Sequence, residues 1–118
     1  MIKQFKPDND IILSRSDNND PNYVLINNNI DESTVRCLIS YVKYIYDSIS
    51  YCIIKIKEDY YKIKFLNNNI EKYIFINLNN MFLFNNTLFL LTYSNNLDEF
   101  KKFNLIKNRY LKLKQICS

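Results

Sequence analysis

The chain has 118 residues and contains no glycine, no histidine, no tryptophan and no alanine. Each absence removes some chemistry. Without histidine there is no Ser-His-Asp or Cys-His catalytic pair and no imidazole ligand for a metal. Without glycine, backbone N–H groups cannot close around a phosphate, so neither a P-loop nor a dinucleotide fingerprint can be written. The three cysteines, Cys37, Cys52 and Cys117, lie at long and irregular intervals with no C-x-x-C pair. Structural zinc takes four Cys or His ligands, often closely paired, so neither metal nor cofactor is expected. An odd cysteine count, and no long apolar segment within Met1 to Asp10, predict reduced thiols buried as small apolar side chains. The corresponding setting is intracellular: cytoplasmic, or within a virion or organelle. No run approaches the roughly 18–20 apolar residues of a membrane span. The nearest, Met81 to Tyr93, is broken by Asn85-Asn86, so a soluble protein with no membrane span is expected.

What remains is an unusual excess. Asn, Ile, Lys and Tyr number 19, 17, 13 and 10, half of the chain, and Lys outnumbers Arg thirteen to three. The codons of all four are AT-rich. The composition predicts a very AT-rich genome, viral, plasmid, organellar or parasitic. It also discounts lysine richness as a direct sign of nucleic-acid binding. With 47% hydrophobic and 24% charged residues the balance is that of a globular protein, and the length is that of one domain.

Residues 1–22 are polar and acidic and hold both prolines, which predicts an irregular arm with a short strand near Ile11 to Leu13. Residues 23–118 are expected to form a single α+β domain. Tyr23 to Ile26 is a short β-type run. Val35, Leu38, Val42, Ile45 and Ile49 then follow the spacing of one helix face, with Asn29 or Asp31 available as cap. Cys52 to Lys57 and Tyr61 to Phe65 alternate apolar and basic residues with a period of two, the pattern of a half-buried hairpin turning at Glu58-Asp59. Further strands are expected around Lys72 to Leu78, at Met81 to Phe84 and at Thr87 to Tyr93. The last is apolar nearly throughout and so expected to be a central strand buried on both faces. Asn-Asn pairs separate these runs, because asparagine is the best substitute for glycine at positive φ. A second helix, from about Leu97 to Ile116, carries an apolar stripe of Phe100, Phe103, Ile106, Tyr110, Leu113 and Cys117, with Asn96 as cap.

The expected architecture is an antiparallel β-meander of about five strands. A helix in the N-terminal half and a long C-terminal helix pack on one face of it. Helix-grip, pleckstrin-like and profilin-like arrangements all fit this order. The strand–turn–Ile30-Asp31–helix–strand rhythm of Tyr23 to Ile56 resembles the opening of Clp-type peptidase domains. The glycines, serine motif and histidine of such an enzyme are absent, and no membership follows.

Two groups of residues are candidates for a binding surface. Lys55, Lys57, Lys62 and Lys64 fall on the outward side of the hairpin with Tyr60 at its edge. Ammonium groups there can track a phosphate backbone while a ring stacks on a base. The alternative is a solvated face, or charges that block edge-to-edge aggregation. The C-terminal helix carries Lys101, Lys102, Lys107, Arg109, Lys112 and Lys114 against Asp98 and Glu99, so its net charge equals the +4 of the whole chain. Such a helix suits nucleic acid, an anionic surface or an acidic partner. The acidic pairs Asp31-Glu32, Glu58-Asp59 and Asp98-Glu99 fall at helix starts and a turn, where capping accounts for them. Ten tyrosines and eight phenylalanines exceed what one core needs and suggest a partner surface. The expectation is a non-enzymatic protein-interaction module, a small accessory or structural subunit that binds other protein subunits. The alternative is a nucleic-acid-binding accessory protein that uses the basic sheet face or the basic helix.

Overall fold

In the computed structural model, residues 2–14, 23–26, 30–46, 49, 51–92 and 97–117 are described. In chain order the elements are β1 (Ile2–Phe5), β2 (Ile12–Ser14), β3 (Tyr23–Ile26), α1 (Glu32–Ile45), β4 (Tyr51–Lys57), β5 (Tyr60–Asn67), β6 (Ile70–Asn77), β7 (Met81–Phe84), β8 (Thr87–Leu91) and α2 (Leu97–Cys117). A 3₁₀ turn, Leu78–Asn80, separates β6 from β7. The fold is α+β, with one helix in the N-terminal half and one at the C-terminal end. Residues 15–22 of the expected irregular arm, and the candidate caps Asn29 and Asn96, lie outside the described residues.

The strands form two sheets rather than one meander. Five strands run in the order β2-β3-β4-β5-β6, and three in the order β1-β8-β7. The β4-β5-β6 portion is the expected antiparallel meander. β3 lies parallel to β4, because α1 carries the chain back to the end from which β3 began. The meander stops at the 3₁₀ turn. There the Asn77 side chain accepts from the Asn79 N–H at 2.8 Å, and the Leu78 N–H bonds to Asp59 O at 2.8 Å. That turn redirects β7 into the second sheet.

Asparagine replaces glycine at the tight turns. Asn68 and Asn69 have φ of 52° and 63°, and Asn85 and Asn86 have φ of 50° and 56°. Two successive positive φ values in a two-residue loop match the right-handed twist of the flanking strands. In the β4–β5 loop Glu58 takes φ of 42° instead, in a region that disfavours residues other than Gly, Asn or Asp.

Helix α1 lies between the sheets. The Asp31 side chain caps it, accepting from the Thr34 N–H at 3.2 Å. Val35, Cys37, Leu38, Ile39 and Val42 are all fully buried, a wider arc than the single expected stripe. They share one core with Cys52, Ile54, Ile63 and Phe65 of the larger sheet and with Phe5, Met81, Leu88 and Leu90 of the smaller. Ile45, expected in the stripe, is 43% exposed. The helix ends there, the chain becomes extended at Tyr46, and Tyr46 and Ile49 pack on the core in its place.

β8 is central in its sheet and buried along its whole length, as its nearly continuous apolar run predicts. Leu88 and Leu90 meet the α1 core. Phe89 and Leu91 join Phe82 and the fully buried Phe103 of α2 in a second core. The two helices thus cover opposite faces of the three-stranded sheet, since alternate residues of β7 and β8 are apolar on both sides.

The polar opening segment contributes to both sheets. β1 pairs antiparallel with β8 and β2 pairs parallel with β3. Between them the backbone is pinned to α1. Ser40 Oγ donates to Lys6 O at 2.6 Å, and Arg36 Nη1 donates to Asp8 O at 3.0 Å and Ile11 O at 3.2 Å. Lys43 Nζ lies 2.6 Å from Asp8 Oδ2. Burial pushes the Asp8 carboxyl up, but Lys43, the Asp10 N–H and Arg36 outweigh it and hold the group below the usual carboxylate range.

Candidate nucleic-acid interface

Strand alternation places all five sheet residues predicted from the sequence on one side. Ile54, Tyr61, Ile63 and Phe65 turn into the core, which sends their neighbours outward. The register then arranges the outer residues of β4, β5 and β6 in rows. Ile53 lies opposite Lys64, which lies opposite Tyr73. Lys55 lies opposite Lys62, which lies opposite Phe75. Lys57 lies opposite Tyr60, which lies opposite Asn77. Strands about 4.8 Å apart and alternate residues nearly 7 Å apart make this a compact grid. Tyr60, expected at an edge, belongs to the grid itself.

β6 supplies what the sequence reading missed. Tyr73 and Phe75 are 46% and 61% exposed on the same face as the lysines. Their signal was present in the sequence: Glu71, Tyr73 and Phe75 alternate with Lys72, Ile74 and Ile76. The Tyr60 and Phe75 rings meet edge to face with centroids 5.7 Å apart. Lys62 Nζ sits 5.1 Å from the Tyr73 ring centroid. Lys64 Nζ is 3.4 Å from Glu71 Oε2, and the Tyr73 hydroxyl donates to Glu71 Oε1. The Tyr73 bond, then Lys64, holds the Glu71 carboxyl below its ordinary range, and the same bond to Glu71 raises the Tyr73 hydroxyl. Among the described residues Lys55, Lys57 and Lys62 form no ion pair. A shallow groove runs between Ile53, Lys55, Lys57, Lys62, Lys64 and Tyr73.

The basic helix belongs to a different layer. α2 packs through Phe103, Ile106 and Tyr110 on the side of the three-stranded sheet away from α1. Lys101, Lys102, Arg109 and Lys112 are exposed and share about 100° of arc on its surface, while Lys107 is half-buried on another side. The Lys114 side chain lies outside the described residues. Phe100 and Leu113, expected in the packed stripe, are 36% and 44% exposed. The reason is length: the 21 residues of α2 span about 31 Å, whereas a five-residue strand spans about 17 Å.

The remaining candidates resolve into structural roles. Asp31 is a helix cap, Glu32 pairs with Arg36 at 3.1 Å, and Glu58-Asp59 forms a loop. Cys37 and Cys52 are free and buried. Burial pushes the Cys52 thiol up to about 12 and raises the Cys37 thiol as well, so neither is a thiolate near neutrality. No group of three or more His, Cys, Asp or Glu among the described residues is placed to hold a metal ion. No helix among them is long and apolar enough to cross a membrane. No protein-family model, curated protein or solved structure matches the chain.

Proposed function

We propose that this chain is a non-enzymatic accessory protein that binds single-stranded nucleic acid on the outer face of its five-stranded sheet. The observation that carries the reading is the grid itself. Exposed Tyr73 and Phe75, with Tyr60 against Phe75, lie directly across from Lys62 and Lys64 on one open sheet. Rings of this kind stack on unpaired bases, while ammonium groups beside them neutralise phosphates. A duplex keeps its base faces stacked on one another, so the rings favour single strands. The absence of histidine and of glycine-rich loops supports a binding role over catalysis.

The test is fluorescence anisotropy with labelled single strands and duplexes over a range of salt. Single strands should bind more tightly, with affinity falling as salt rises. Phe75→Ala should weaken binding by at least about fivefold, the lower end of what one stacked base is worth. Equal affinity for duplex and single strand, or no effect of Phe75→Ala, would remove the reading.

A second reading, a subunit of a larger protein assembly, is favoured by α2, where Leu97, Leu105, Leu111 and Leu113 are all at least 42% exposed. Isolation of the tagged protein with and without nuclease, followed by mass spectrometry, separates the two. Partners that survive nuclease support the subunit, and partners that vanish support the nucleic-acid face.

A further inference from the structure

Glu71 is the only acid in β4, β5 and β6, and it stands on the face that otherwise carries lysines. On a surface that only collected phosphates it would be a defect, because it repels them. Its surroundings show an oriented group. The Tyr73 hydroxyl donates to Oε1 and the Lys64 ammonium lies against Oε2, so the carboxylate is tethered from both sides beside an exposed ring. An ionised carboxylate has about four lone-pair sites, and these two contacts leave two open.

A base stacked on Tyr73 turns its hydrogen-bonding edge towards its surroundings, with Glu71 two residues away on the same face. A carboxylate can only accept, so it favours bases that present N–H groups and opposes edges lined with carbonyl oxygens. Adenine and cytosine offer one amino group, and uracil or thymine one imino group between two carbonyls. Guanine offers an imino N–H and an amino group side by side, the two-pronged donor that a carboxylate fork matches. Phosphates are meanwhile drawn away from Glu71 to Lys55, Lys57 and Lys62. The base end and the phosphate end of a nucleotide are therefore assigned to different parts of the grid.

We propose that Glu71 makes this face select guanine at the Tyr73 position of a bound single strand. The inference rests on the nucleic-acid reading above and adds the base it recognises. The test measures dissociation constants for oligothymidine strands carrying a single guanine, inosine or adenine, with the wild-type chain and with Glu71→Gln. Inosine lacks only the amino group of guanine. Wild type should bind the guanine strand about tenfold more tightly than the inosine strand, the worth of one hydrogen bond to a charged acceptor. In E71Q that ratio should fall below about two, while plain oligothymidine binds more tightly because a negative charge is gone. Because Glu71 is exposed the variant should fold, which circular dichroism checks. Equal binding of guanine and inosine strands by wild type, or an unchanged ratio in E71Q, would overturn the guanine assignment. If Phe75→Ala and salt still weaken plain oligothymidine binding, the nucleic-acid reading would stand without it. No binding to any strand would overturn both.

Discussion

Replacing Lys55 with glutamine should make this protein more stable and a weaker binder at once. Lys55 lies directly opposite Lys62 in the β4–β5 register, and neither forms an ion pair among the described residues. Directly opposed side chains in an antiparallel pair sit about 5 Å apart, and like charges there are destabilising by about 0.2–1 kcal/mol. Lys55 is the cleaner of the two to change, since Lys62 also lies over the Tyr73 ring. Relief of about 0.5 kcal/mol should raise Tm by about 2 °C in a domain of this size.

The binding side follows from counterion release. Each phosphate contact on a single strand contributes about −0.7 to the slope of log affinity against log salt. Three lysines without carboxylate partners give a slope of about −2, and K55Q a slope of about −1.4. Between 50 and 200 mM salt the wild type should lose about twentyfold in affinity and K55Q about sevenfold. Thermal denaturation and salt-dependent anisotropy measure both quantities on one preparation. A fall in Tm would show that Lys55 stabilises the sheet. An unchanged salt slope would show that it meets no phosphate. Either result would refute the argument that its repulsion is retained for binding.

Three further outcomes are expected. Asn69→Ala and Asn86→Ala should each destabilise the fold by about 1 kcal/mol in urea titrations, since alanine disfavours positive φ, whereas the corresponding Asn→Gly changes should be near neutral. Phe103→Ala, at a fully buried position, should cost about 3–5 kcal/mol, while Leu105→Ala, 71% exposed on the same helix, should stay within about 0.5 kcal/mol. Because Asp8 has a depressed pKa in the fold, its contribution is present above the ordinary carboxylate value and is lost as pH falls through the folded value. The wild-type chain should therefore lose its advantage over Asp8→Asn as pH falls from the ordinary carboxylate value through the lower folded one, which denaturation curves at stepped pH would follow.

Half of the candidate site was legible because a hairpin displays its own face. Lys55, Lys57, Lys62 and Lys64 alternate with core residues in two adjacent runs, and strand pairing across a two-residue loop leaves little freedom of register. Tyr73 and Phe75 alternate just as plainly. Yet an exposed aromatic looks like a core residue when only its type is known, and only the pairing of β6 with β5 set them across from Lys64 and Lys62. The same alternation puts Glu71 on that face, but its contacts with Tyr73 and Lys64 are made by side-chain placement and left no mark in the sequence.

Local sequence by itself determined the elements with short-range causes. The Asp31 cap, the helix periodicity of α1, the Asn-Asn turns and the doubly buried β8 depend on neighbours within a few residues. The tertiary structure alone decided the division into two sheets, the parallel pairing of β3 with β4, the use of β1 as a strand, the parallel placement of the expected short strand β2 beside β3 and the length of α2 left uncovered. Each of those depends on which distant backbone groups find partners and how far a neighbouring layer extends. Ile2–Phe5 is too short and too polar to announce a strand, and it becomes one because β8 offers it an open edge with apolar residues on both faces.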